Sequence, residues 1–92
     1  MLLNAYTLHD VKALTYSPPF FCVAHGQAVR MVMDLAQDAN TMVGRHPSDF
    51  ALYCVGRWDD SVGVLLPTEH REHIADAVSL VRAPQSLPLF KE

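Results

Sequence analysis

The sequence predicts an α+β domain in which a small antiparallel sheet of three to four strands packs against one long amphipathic helix. Three observations predict it: a polar stripe at helical spacing in 26–38, a strand pattern in 50–58 that leads into a hairpin, and prolines that lie between these segments. The 92 residues, half of them hydrophobic and 18% charged, have the size and composition of a single folded domain over 1–92.

The first strand is predicted at Leu2 to Leu8, because this run is rich in residues that suit a pleated surface and Asp10 closes it. A loop is expected from Val11 to Pro19. A short extended piece follows at Phe20 to Val23. The N-terminal quarter therefore contributes two strands to the sheet.

The main helix is predicted from Gly26 to Asp38 and should end near Asn40, which tolerates a left-handed C-terminal conformation. Its polar residues recur at spacings of three, four and three, at Gln27, Arg30, Asp34 and Gln37. Apolar residues cover more of its circumference than the roughly 100° of an ordinary surface helix. Because one small sheet cannot cover so wide a surface, the pattern predicts a homo-oligomer, most simply a dimer.

A hairpin is predicted in the C-terminal half of the chain. Phe50 to Trp58 is apolar at both alternating sets of positions, which is typical of a strand that is covered on both faces or held centrally in a sheet. The polar turn 59–61 then returns the chain into a partner strand at Val62 to Leu66. Gly56 and Gly63 inside these strands indicate a bulge or a close backbone approach, or else a loss of strand regularity.

A second helix is predicted beyond Pro67, where Thr68 can cap it and Pro84 must end it. Its apolar positions recur at helical spacing, at Ile74, Ala77, Val78 and Val81. Residues 83–92 are expected to form an extended tail.

Catalytic and metal chemistry find little support in the sequence. Cys22 and Cys54 lie in apolar runs without a CxxC pair, so both are predicted to be reduced and buried. On a helix His73 would share a face with His70 or Glu69 as metal ligands do, but two histidines without a third ligand are typical of a solvated face. No phosphate loop or hydrolase motif is present, and no apolar run approaches the roughly 20 residues that span a bilayer. We expect no enzymatic activity, cofactor, metal or membrane partner.

Charge restricts the ways in which the chain could bind nucleic acid. Seven Lys and Arg against ten Asp and Glu give a net charge of −3, which excludes a wide phosphate-binding surface. Cations and aromatics do interleave as single-stranded nucleic acid requires, which gives as candidate binding residues Arg30, Arg45, His46, Tyr53, Arg57 and Trp58. The alternative is that Tyr53 and Trp58 belong to the core of the sheet.

The stretch from His46 to Asp60, followed by Gly63, resembles the signature hPsDfxLyxvGxfD…G of the nonstructural protein of microviruses, the phage open-reading-frame-five family. The gokushovirus group, which includes the chlamydia phages, is the nearest in pattern. Trp58 replaces the Phe of the signature and keeps an aromatic ring. The N-terminal half agrees at Tyr6, Asp10-Val11-Lys12, Tyr16, Pro19-Phe20 and Ala28-Val29-Arg30. The similarity runs from about Leu2 to about Leu66. After Pro67 no residues match a motif of the family.

These microviruses are small bacteriophages with circular single-stranded DNA. The resemblance implies a nonstructural protein of the host bacterial cytoplasm that acts in viral single-stranded DNA synthesis, and hence DNA replication, or in packaging; it carries over no catalytic residues. One hypothesis is DNA binding by an oligomer that pools its arginines. The other is an adaptor, or an inhibitor of a host replication factor, whose partners are phage or host replication proteins and which does not contact DNA. The resemblance favours the first hypothesis and the net charge the second.

Overall fold

A computed structural model describes residues 1–81, in which an antiparallel sheet carries helices on one side. The strands are β1 (Leu2–Asp10), β2 (Thr15–Tyr16), β3 (Phe20–Cys22), β4 (Phe50–Asp59) and β5 (Val64–Asp76). The helices are α1 (His25–Ala36) and α2 (Met42–Arg45), with 3-10 turns at Pro47–Asp49 and Ala77–Leu80. This arrangement confirms the predicted α+β class. No helix within residues 1–81 has the length and apolar character needed to cross a membrane.

The sheet has the strand order β2-β1-β4-β5, and β3 pairs with the same edge of β1 as β2 does. Between these two short strands, Ser17 continues the hydrogen bonding along β1. Its backbone N–H donates to the Leu8 carbonyl at 2.8 Å, and its Oγ accepts from the Leu8 N–H at 3.0 Å. The predicted loop 11–19 is therefore attached to β1 for part of its length.

The core lies between α1 and one face of the sheet. Tyr6 on β1 and Leu52 and Cys54 on β4 face the helix at alternating positions, as the period of a strand requires. The buried side chains that pack together in this core are Tyr6, Cys22, Ala28, Val32, Ala36, Val43, Leu52, Cys54 and Ala77. Among residues 1–81, the helical segments all pack on this side. We call the opposite side of the sheet the open face.

Helix α1 begins at His25 as predicted within one residue, but it ends at Ala36 and not near Asn40. Thr41 explains the early end. Its hydroxyl donates to the Leu35 and Asp38 carbonyls, at 2.8 Å each, and accepts from the Gly44 N–H at 3.0 Å. The residue that caps α2 thus also bonds to carbonyls in the last turn of α1 and just after it.

The two hairpin glycines differ in their roles. A bulge separates Cys54, which pairs with Tyr6, from Gly56, which pairs with Ala5, so that Val55 is an extra residue in β4. A Cβ at Gly56 would lie 2.7 Å from the Leu66 carbonyl oxygen, which confirms the predicted close backbone approach. Gly63 is outside the strands, in the turn, where its φ of +71° suits glycine.

The helix predicted from Thr68 onward is wrong over most of its length. Strand β5 continues through this segment to Asp76, and only Ala77–Leu80 form a 3-10 turn. Pairing with β4 at Glu72, His73, Ala75 and Asp76 supplies the backbone hydrogen bonds that a helix would otherwise provide. Ile74 and Ala77 still reach the core, as the apolar spacing required. The tail predicted at 83–92 lies outside the described residues.

Candidate nucleic-acid interface

One end of the open face carries aromatic and cationic side chains from four strands. Tyr53 on β4 lies opposite Thr7 on β1 and His73 on β5, and His9 on β1 lies opposite Tyr16 on β2. Because residues i and i+2 of a strand share a face, His9 and Arg71 join the same surface. We call this group the open-face cluster: His9, Tyr16, Tyr53, Arg71 and His73.

The rings of the open-face cluster contact one another in a continuous series. His9 stacks on Tyr16 with 4.3 Å between ring centroids and 15° between planes. Tyr53 meets His9 edge-on at 6.2 Å and His73 edge-on at 5.5 Å. These distances are typical of favourable aromatic pairs, so each ring is held in place by its neighbours. Tyr16 is nevertheless 48% exposed, which leaves ring surface for a ligand.

Arg71 places a positive charge within this group of rings. Its guanidinium carbon lies 4.4 Å from the centroid of Tyr53 and 5.6 Å from that of Tyr16, within the range of cation–π attraction. One guanidinium nitrogen, Nη1, also donates a hydrogen bond to the Tyr16 hydroxyl. Exposed rings with a cation between them can stack on nucleobases and attract an anionic backbone.

A shallow groove leads away from the cluster. Its first part, of about 340 Å³, is lined by Thr7, Tyr16, Ser17, Pro19, Val55 and Arg71. Its second part, of about 330 Å³, is lined by Ala5, Pro19, Val55, Gly56, Leu65 and Pro67. Since Pro19 and Val55 line both parts, the two depressions are neighbours on the open face. Its walls are mostly apolar, as is typical of surfaces that receive flat rings.

The far end of the groove has a second aromatic pair. Trp58 pairs with Leu3 and Leu65, which places it on the open face, and its ring lies 6.3 Å from that of Phe21. Trp58 is half-buried and Phe21 is exposed. Five strand positions separate Trp58 from Tyr53, which corresponds to about 16 Å along β4.

The structure places only two of the six sequence-predicted binding residues, Tyr53 and Trp58, on the open face. Arg57 pairs with Asn4 and therefore faces the α1 side. Arg30 is exposed on α1, Arg45 ends α2, and His46 is exposed just after it. The structure therefore does not bring these four basic residues together with the two aromatic ones.

Four members of the open-face cluster were missed by the sequence analysis. His9 alternates with the core residue Leu8, and Tyr16 was assigned to a loop. Arg71 and His73 fell in a segment interpreted as a helix, where a spacing of two residues puts side chains on different faces. In a strand the same spacing puts them on one face, so the error in secondary structure concealed the site.

A different polar network lies on the α1 side of the sheet. The Tyr6 hydroxyl accepts a hydrogen bond from Asn4 Nδ2 at 3.1 Å and shares a second hydrogen bond with His25 Nδ1 at 2.6 Å. His25 Nε2 lies 3.9 Å from a carboxylate oxygen of Glu72. Burial raises the pKa of the Tyr6 phenol, against the hydrogen bond from Asn4, which lowers it. Because Tyr6 is fully buried, its hydroxyl is closed to ligands and joins α1 to the sheet.

Both cysteines are free and buried, and burial raises the pKa of the Cys22 thiol. This is the environment of packing residues and not of nucleophiles. Within residues 1–81, no three side chains of the metal-ligating types are grouped closely enough to hold an ion.

Together these features define a small α+β protein whose sheet carries helices on one side and an aromatic and arginine cluster on the other. The family model described as Phage ORF5 protein matches residues 3–80. The chain therefore belongs to the Phage ORF5 protein family and is a bacteriophage protein, which confirms the resemblance found in the sequence. The match extends past Leu66 and includes strand β5 with Arg71 and His73. No curated protein and no solved structure matches the chain significantly.

Proposed function

We propose that this phage protein binds single-stranded DNA through the open face of its sheet and acts without catalysis in viral single-stranded DNA synthesis or packaging. The observation that carries the proposal is the open-face cluster, in which contacting rings surround the guanidinium of Arg71. The nonstructural role and the host bacterial cytoplasm come from the resemblance to the microvirus family.

Stacking must supply most of the binding free energy in this proposal. The whole chain carries a net charge of −3, and Arg71 is the arginine of the open-face cluster. Base stacking on an aromatic side chain contributes about 1–3 kcal/mol per base, whereas each neutralised phosphate adds about 0.7 to the salt slope. We therefore expect a shallow salt dependence, no steeper than about −1 per chain.

The test is a fluorescence anisotropy titration of a labelled single-stranded oligonucleotide containing all four bases, at several salt concentrations. Replacing Tyr53 by Ala should weaken binding by about 5- to 150-fold, the equivalent of one lost stacking contact. The control is Met42→Ala, which removes an exposed large side chain on α2, on the other side of the sheet. Thermal melting of both variants separates lost binding from lost folding.

Absence of binding by the wild-type protein at low salt would refute the proposal. Equal losses for Tyr53→Ala and Met42→Ala would also refute it, because the open face would then have no special part in binding.

The adaptor hypothesis has an observation of its own. Val62, Val64, Leu65 and Leu66 are all exposed on the hairpin, and such an apolar segment suits contact with protein. In that case the partners would be phage or host replication proteins. The titration distinguishes the hypotheses, since an adaptor of this kind would not bind the oligonucleotide at any salt concentration.

A homo-oligomer forms part of the DNA-binding proposal. Met31 and Leu35 remain exposed on α1, and apolar side chains remain exposed on the hairpin. Association of two or more chains would cover such surfaces and bring several open-face clusters onto one DNA strand.

A further inference from the structure

We infer that the part of the groove beside Tyr16 is a base pocket that prefers guanine, and that Arg71 is the residue that determines this preference. The base pocket is the depression of about 340 Å³ lined by Thr7, Tyr16, Ser17, Pro19, Val55 and Arg71. The inference rests on the proposed binding of single-stranded DNA and adds to it which base is preferred, and why.

The hydroxyl groups on one side of the base pocket are already engaged. Thr7 Oγ1 donates to the Ser17 carbonyl at 2.7 Å. Ser17 Oγ accepts from the Leu8 N–H at 3.0 Å and donates to the Pro18 carbonyl at 3.1 Å. Both hydroxyl protons are therefore engaged, and the acceptor lone pairs of Thr7, which is 4% exposed, are almost closed to a ligand. These side chains thus shape the pocket and discriminate little between bases.

The free hydrogen-bonding capacity at the rim consists of donors. The described contacts engage Arg71 through one of its guanidinium nitrogens, Nη1, so its other N–H groups remain available. The Tyr16 hydroxyl oxygen accepts that bond, which leaves the hydroxyl proton free to be donated. A ligand in the base pocket should therefore present acceptors toward Tyr16 and Arg71.

Guanine matches this requirement better than the other bases. Its N7 and O6 are two adjacent acceptors that fit the fork of a guanidinium. Cytosine also has two adjacent acceptors, O2 and N3, but its single ring offers less surface for stacking than a purine does. Adenine presents an amino donor on the edge that corresponds to N7 and O6. Thymine offers a single acceptor there beside its methyl group. Pro19 and Val55 supply apolar walls and Tyr16 supplies a ring for stacking, so the volume and the lining suit one base.

The position of Arg71 also lowers the entropic cost of this contact. Its guanidinium already lies 4.4 Å from the Tyr53 ring centroid and bonds to Tyr16, so its rotamers are restricted before the ligand arrives. A preorganised donor loses less conformational entropy on binding than a free arginine does.

The experiment uses four labelled oligothymidylates that differ only at one central position, which carries guanine, adenine, cytosine or thymine. Each is titrated with the full-length protein at two salt concentrations. We expect the guanine oligonucleotide to bind about 5- to 150-fold more tightly than the adenine one, the range of a bidentate base contact.

Arg71→Lys is the decisive variant, because lysine keeps the charge and loses the planar fork. It should bind all four oligonucleotides with equal affinity, at the level that the wild type shows for adenine, with an unchanged salt slope. Arg30→Lys makes the same replacement on α1 and should leave the guanine preference intact.

The outcomes separate this inference from the proposed function. Equal affinity of the wild type for all four oligonucleotides overturns the guanine preference and leaves DNA binding standing. If Arg71→Ala weakens binding to all four oligonucleotides uniformly and reduces the salt slope by about 0.7, Arg71 contacts phosphate and the inference is wrong. If none of the four oligonucleotides binds, both the proposed function and the inferred guanine preference are contradicted.

Discussion

Tyr6 connects three elements of the core through one side chain. It is fully buried on β1, its ring lies 5.8 Å from Phe20 on β3, and its hydroxyl is bonded to His25 at the start of α1. A buried phenol is favourable only when its hydroxyl has partners, and here Asn4 and His25 supply them.

Replacing Tyr6 by Phe should lower the free energy of unfolding by about 1–2 kcal/mol, because Asn4 and His25 lose their partner while the ring is retained. Urea denaturation at pH 7 measures this change. Tyr16→Phe is the matched control, since the Tyr16 hydroxyl is exposed and should contribute far less. Equal effects of the two replacements would contradict the role assigned to Tyr6.

The same residue predicts the response of stability to alkaline pH. Burial raises the pKa of Tyr6 above its ordinary value of 10.0, so the folded state holds the phenolic proton more tightly than the unfolded state does. The stabilisation that Tyr6 provides through this pKa difference is fully present below about pH 10 and is lost as the pH rises through the raised pKa. The free energy of unfolding should therefore decrease less steeply between pH 9 and 12 for Tyr6→Phe than for the wild type. If the free energy of unfolding decreases equally with pH in both proteins, another group controls the loss of stability at alkaline pH.

At the scale of elements, the junction of α1 and α2 depends on the absence of a side chain at Gly44. A Cβ there would lie 1.9 Å from the Asp38 carbonyl oxygen, which is backbone and cannot move aside cheaply. Gly26, inside α1, has no atom within 4 Å of an added Cβ. Replacement by alanine should therefore have opposite effects on stability at these two positions.

Gly44→Ala should destabilise the protein by about 3 kcal/mol or more, because the junction between the helices must distort. Gly26→Ala should stabilise it by about 0.5–1 kcal/mol, since alanine restricts the unfolded chain and suits a helix. Thermal melting of the two variants beside the wild type measures both effects. An unchanged melting temperature for Gly44→Ala would contradict the close approach of α1 and α2 at this position.

Some elements could be predicted from the sequence because local pattern and tertiary environment agree. The polar stripe of α1 and the doubly apolar pattern of β4 have one interpretation each, and the structure confirms both. The segment after Pro67 has two interpretations, because the spacing of Ile74 and Ala77 fits a helix and also a strand that ends in a 3-10 turn. Pairing with β4, a contact distant in sequence, decides between them.

The candidate site shows the same dependence on distant contacts. Tyr53 could be selected because it lies in the clearest strand and next to basic residues. His9, Tyr16 and Arg71 come from three different strands, and only the register of the sheet brings them together. Residues 9 and 71 have no local relationship that a single sequence would reveal.

At the scale of the whole molecule, the edge of the sheet bears on self-association. β5 is an edge strand in the part of the chain that the structure describes, and its first residues, Val64 to Leu66, are exposed and uncharged. An uncovered apolar edge of this kind favours pairing with another strand. The hairpin edge is thus a second candidate for self-association beside the exposed side of α1.

Light scattering at tens of micromolar protein should show a dimer or a larger homo-oligomer. Leu66→Lys places a charge on the edge of β5, and Met31→Lys places one on the exposed side of α1. The variant that yields a monomer identifies the interface, because a charge there is costly to bury. A monomeric wild type at this concentration would contradict self-association.

The alternation of β1 and β4 between two faces has a consequence for how this protein can evolve. At Leu8 and Leu52, mutation is limited by the folding of the domain, since both side chains pack in the core. At His9 and Tyr53 the side chains lie on the open face, where replacement would change the proposed recognition surface and not the core. If the open face binds DNA as proposed, selection for folding and selection for binding act on interleaved positions of the same strands. Related phages could acquire a new ligand preference by substituting every second residue, while the domain beneath stays the same.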